Sequence, residues 1–106
     1  MKKVYPVAIL PKQGAPYHIV SLPDFAEGAR GDNEEQSILH AIDTIGQLGA
    51  ALLAAGKALP EPSAVERVRA MYGNCLVVQV EVDFDAYSSQ SRLRLEHPLR
   101  RKKRED

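Results

Sequence analysis

At 106 residues the chain is about one domain long, and an apolar fraction of 44% is enough for a single core and argues against wholesale disorder. One cysteine, Cys75, excludes an intramolecular disulfide and a cysteine metal cluster, which fits a reducing compartment. Net charge is zero but divided: residues 88–106 hold seven Lys/Arg against three acids, a net +4, which leaves −4 on residues 1–87 and points to two surfaces of opposite sign.

No segment reads as a membrane span, and the opening "MKKVYPVAIL" is too short and too interrupted by proline for a signal peptide, so the expectation is a cytoplasmic protein without membrane contact. Lys3 to Leu10 reads as a strand, with Pro6 at a place where one strand edge is unpaired or bulged. "PKQGAP" is a turn by composition, and Tyr17 to Leu22 alternates, so the two runs form a β-hairpin. Pro23 and Asp24 close the second strand, and "EGARG" has room only for a short third one.

The clearest element follows. Asp32 or Asn33 can accept hydrogen bonds from the free amides of a helix start, and Glu35 or Gln36 falls at the matching capping-box position. Glu34 and Glu35 suit the positive end of the helix dipole. Ile38, Ile42, Ile45, Gly49 and Leu52 recur at helical spacing, widened by Ala41, Leu48 and Ala55. Gly56 stops the helix. Gly46 and Gly49 weaken it by about 1 kcal/mol each relative to alanine, and their lack of a side chain lets another backbone pack close.

"KALPEPS" is a proline-stiffened loop, and Ser63-x-x-Glu66 has the form of a capping box for a short helix to Met71. Cys75 to Val82 is the strongest strand, with Leu76, Val78, Val80 and Val82 on one face and Val77, Gln79 and Glu81 on the other. Asp83 can cap a final helical turn through Phe84 and Tyr87. The order β-β-β-α-β-α gives an α+β domain: a four-stranded mixed sheet, strand four parallel to a hairpin strand through a right-handed crossover, with one long helix on one face. The domain is assigned to residues 1–87 and a basic tail to residues 88–106.

The ordered set "SLPDF", "GDNEEQSILHAIDTIGQLGAALLAAGKALPEPS" and "VEVDFDAY" resembles the HicB antitoxins of bacterial toxin–antitoxin pairs. The shared steps are Pro23-Asp24 after strand two, Gly31-Asp32-Asn33 at the helix start, and Gly56 to Ser63 at its exit. Two features depart from that pattern: Ala26-Glu27-Gly28 replaces a Pro-Gly-Cys step, and residues 88–106 leave no room for a complete ribbon-helix-helix or helix-turn-helix module. The resemblance implies a partial ribonuclease H-like fold, homo-oligomers, and a HicA-like toxin partner, itself a small basic mRNA-cleaving ribonuclease. An acidic domain suits that partner, since a carboxylate-rich surface can occupy ground that would hold RNA.

Catalysis is not expected of this chain. Two-metal phosphodiester cleavage needs converging carboxylates, and in ribonuclease H enzymes one stands in the middle of strand one, where "KVYPVAIL" carries no acid. His18 reads as a core or interface histidine, His40 lies on the polar flank of the helix, and Cys75 reads as a buried structural thiol. No metal or cofactor is expected. The candidate toxin contacts are Asp24, Glu27, Glu81, Asp83 and Asp85. The candidate nucleic-acid contacts are Arg100, Arg101, Lys102, Lys103 and Arg104, which suit phosphate without reading sequence. An orphan dimerisation module and a DNA-contacting autoregulator are the competing readings.

Overall fold

The computed structural model describes residues 1–87. The order is β1 (Lys2–Ile9), β2 (His18–Leu22), β3 (Glu27–Gly31), α1 (Glu34–Ala54), α2 (Val65–Met71) and β4 (Leu76–Asp83). A 3-10 turn at Pro23–Phe25 separates β2 from β3, with Ala26 left-handed at φ 53°, and residues 85–87 are helical. The sheet runs β3-β2-β1-β4. It keeps the expected α+β class, four strands and long covering helix.

The direction of β4 differs from the expected one. The sequence reading makes the sheet mixed, whereas β4 pairs antiparallel with β1 from Lys2 opposite Asp83 to Ile9 opposite Leu76, and every other pairing is also antiparallel. A parallel crossover needs one helical pass between β3 and β4. Here α1 and α2 make two passes, on opposite faces, so the chain enters β4 from the other end.

The register explains Pro6. The Phe84 N–H donates to the Met1 carbonyl at 2.9 Å. Bonded pairs alternate in an antiparallel ladder, so Lys3–Val82, Tyr5–Val80 and Val7–Val78 are bonded while Pro6 opposite Gln79 is not. The Pro6 nitrogen therefore faces the β2 side, where the β1–β2 ladder covers only Ala8 and Ile9. No ladder bond is lost.

On one face, Tyr5, Val7, Ile9, Val20, Leu22, Val80 and Val82 pack under Ala41 and Ile45 of α1, with Leu59 and Phe84 joining the layer beside Gly49. Each large apolar side chain buried there contributes about 1.5–3 kcal/mol, so this layer is the main source of stability. The Tyr5 ring meets Phe25 and Phe84 edge-on, at centroid distances of 5.0 and 6.4 Å, and its hydroxyl donates to the Pro60 carbonyl at 2.8 Å. Burial, with Asp24 and Glu61 nearby, pushes the Tyr5 pKa up to about 12.

α1 starts as its sequence indicates. The Asn33 side chain accepts from the Gln36 N–H at 2.8 Å, while the Gln36 side chain accepts from the Asp32 N–H at 2.8 Å. Gly56, at φ 76°, follows its C-terminus. The glycines within it accommodate aromatic rings rather than a second backbone: a Cβ at Gly46 would strike Tyr87, and one at Gly49 would strike Phe84 and stand 3.0 Å from Leu59. By length and composition α1 is also apolar enough to cross a bilayer, contrary to the sequence reading. In the fold its buried stripe is the cover of the sheet.

The second face is partly covered as well. Val68 of α2 packs with Ala8 and Val77, beside Val65, Tyr72 and Cys75, and the Tyr72 hydroxyl lies 2.7 Å from Ser21 Oγ on β2. Cys75 is half-buried against this cluster rather than fully enclosed. Ser63 does not cap α2, whose N-cap is Ala64 without a side-chain hydrogen bond.

Candidate partner-binding surface

Ser63 has a different task. Its backbone N–H and its hydroxyl donate to the two carboxylate oxygens of Asp24, at 3.0 and 2.6 Å. Asp24 thus ties the turn after β2 to the loop before α2, and both residues are half-buried. Of the five expected contact acids, this one is already occupied within the fold.

The other four occupy two places. Glu27 opens β3 on the edge away from β4, and it pairs with Leu22, whose side chain lies under α1. Glu27 and Lys57 line an open groove together with Phe25, Leu48 and Leu52. Glu81 and Asp83 instead project from β4 on the face opposite α1 and are exposed. Asp85 follows in the helical turn, where its N–H donates to Asp83 Oδ1 at 3.2 Å, the cap expected of Asp83. The Met1 amine donates to Asp85 and lies 3.7 Å from Asp83. That hydrogen bond to Asp85 holds the amine above its ordinary pKa.

β4 is an edge strand, and its free side follows from the ladder described above. Lys3, Tyr5 and Val7 bond to Val82, Val80 and Val78, so the N–H and C=O groups of Val77, Gln79, Glu81 and Asp83 point away from β1. Among the described residues no other strand lies beyond β4. The helix-side row of β4 emerges at this edge as Leu76, 43% exposed, and half-buried Val78. The edge therefore presents an apolar row on one side, an acidic row on the other, and, between them, backbone groups with no strand partner among the described residues.

The far side of the molecule has a different character. Arg30 of β3 stacks over the Tyr17 ring at 4.8 Å, beside Ile19, which is 50% exposed. Residue chemistry alone did not mark this stack, because the pairing of Ile19 with Arg30 is set by the β2–β3 register. His40 Nδ1 lies 2.6 Å from the Arg30 carbonyl and His18 Nδ1 2.9 Å from the Leu10 carbonyl, so both imidazoles have backbone partners. Among the described residues no three His, Cys, Asp or Glu side chains gather into a metal-binding group. The basic candidates Arg100, Arg101, Lys102, Lys103 and Arg104, like the tail assigned to residues 88–106, lie outside the described residues.

Fold and surface define an α+β domain with an antiparallel four-stranded sheet, one long covering helix and an acidic edge. Solved structures share this fold. A crystal structure of the Burkholderia pseudomallei antitoxin HicB superposes with a TM-score of 0.69 at 18% identity, over 92% of this chain and 89% of that one. The N-terminal domain of that antitoxin matches at 0.68 and 22% identity, over 76% of this chain and 99% of the domain. A chain of a toxin–antitoxin complex from Streptococcus pneumoniae matches at 0.69 and 16% identity, over 93% of this chain and 90% of that one. No protein-family profile matches the sequence, and no curated protein matches it significantly.

Proposed function

We propose that this protein is a HicB-type antitoxin that binds a HicA-type, mRNA-cleaving toxin and inhibits it by protein–protein contact. The observation that carries the reading is the likeness to antitoxin HicB, which extends over about nine-tenths of both chains. The acidic character of residues 1–87 supports it, because a protein that grips RNA must present positive charge. On this reading the chain is not an enzyme and acts in the cytoplasm. The carboxylates a nuclease would need to converge are instead tied to Ser63, placed on opposite sheet edges, or paired at the end of β4.

Among the acids, Glu81, Asp83 and Asp85 are the preferred toxin contacts. Glu27 is secondary, and Asp24 contributes through the fold. Co-expression with the small basic protein of a neighbouring reading frame tests the proposal: the two should co-purify, and RNA cleavage should fall. If neither happens, the antitoxin reading fails and an orphan interaction or dimerisation module takes its place. The net +4 of residues 88–106 favours a second, compatible role in contacting DNA phosphates through Arg100 to Arg104.

A further inference from the structure

We infer that the toxin is held by strand addition: a basic, extended segment of it pairs with the free edge of β4 and continues the sheet. This rests on the antitoxin reading and specifies how the contact is made. The backbone groups of Val77, Gln79, Glu81 and Asp83 face outward in the spacing that a fifth strand would use. An edge of eight residues without proline is a template that sheet proteins normally cover or blunt. In this chain the blunting charges are all of one sign, Glu81 and Asp83, and both lie on the same face.

The charges select the occupant. Side chains alternate across a strand, so an added strand would set every second residue beside Gln79, Glu81 and Asp83 and the others beside Leu76 and Val78. The matching segment carries Arg or Lys at alternate positions with apolar residues between them. Backbone bonds give the affinity in such a contact and the alternating side chains give the specificity. A second copy of β4 fits less well, since it would bring a second acidic row to the same edge.

The test uses the full chain and the toxin that it captures. Gln79→Pro removes an outward N–H and leaves the β1–β4 bonds in place, so the variant should fold and bind at least tenfold more weakly. Glu81→Lys combined with Asp83→Lys leaves the backbone edge intact and reverses the selecting charge; it should weaken binding by a similar factor and flatten the salt dependence. In the wild-type complex, the amides of Val77, Gln79 and Glu81 should gain protection from hydrogen exchange that they lack in the free chain. If wild-type chain binds no toxin, the antitoxin reading itself fails. If wild type binds, both folded variants bind equally well and the three amides gain no protection, strand addition is wrong while that reading stands. Protection of those amides already present in the free chain would mean another segment holds the edge, and that too overturns the inference.

Discussion

Replacing Asp24 with alanine separates a structural acid from a contact acid. Its carboxylate accepts two hydrogen bonds from Ser63, at 3.0 and 2.6 Å, across 39 residues of sequence. A hydrogen bond to a charged group is worth about 1.5–3 kcal/mol, and half-exposure lowers that figure, so losing both should cost about 2–3 kcal/mol. For a domain of this size the melting temperature should drop by roughly 8–20 °C. Asp24→Asn keeps one acceptor oxygen but turns an amide NH2 toward the second Ser63 donor, and should cost about half as much. Urea titration of Asp24→Ala, Ser63→Ala and the double variant gives the coupling energy, expected at about 1 kcal/mol or more because the Ser63 hydroxyl is the shorter bond. Toxin affinity per folded molecule should not change. Additive costs, or an unchanged melting temperature with binding abolished, would refute the clamp and return Asp24 to the contact surface.

Other perturbations probe the packing, the cap, the ionisation state and the tail. Gly49→Ala forces the Phe84 ring out of its seat on α1; it should destabilise the domain by about 1–3 kcal/mol in chemical denaturation, despite alanine's better helix propensity. Asn33→Ala removes the α1 cap and should cost about 1 kcal/mol, visible as a lower urea midpoint with an unchanged slope. Tyr5 must stay neutral when folded. Its pKa is about 12 in the fold against 10.0 for the free side chain, so below pH 10 it adds no pH dependence. As pH rises from 10 to 12 the unfolded chain loses that proton first, and stability should fall by up to about 1.4 kcal/mol per unit; Tyr5→Phe should remove that fall. Deleting residues 88–106 should abolish any salt-dependent binding to non-specific duplex DNA, measured by fluorescence anisotropy, without altering toxin capture.

The features legible in the sequence are the locally determined ones. α1 could be placed to within a residue or two because its cap, its stripe and its terminal glycine all lie within one run of chain. The strands were visible through alternation, and Pro6 was correctly located by its missing donor. The direction of β4 was not legible, since it depends on α2 making a second pass on the opposite face, and no local pattern encodes that. Ser63 misled for a similar reason: Ser-x-x-Glu is a valid cap pattern, but two bonds to a distant carboxylate compete with it. The five acids were equivalent as letters. The fold separates them: the Ser63 bonds occupy Asp24, and the register puts Glu27 beside Leu22 on the helix side and Glu81 opposite Val4 on the other.

β1 is one of the two interior strands of this sheet, and its longest partner is β4, the last strand of the described chain. Contacts this distant in sequence form late, since the intervening loop must close before they can contribute. A chain still emerging from the ribosome holds β1, β2 and β3 with a bare edge on β1, and Tyr5, Val80 and Phe84 cannot yet meet. Synthesis must reach Asp83 before the domain can close. Any shorter product would uncover the part of α1 that packs on Val80, Val82 and Phe84, together with an unpaired strand, the combination that proteases and aggregation both exploit. The acidic edge and the completed fold therefore arrive with the same strand, so an unfinished chain has neither.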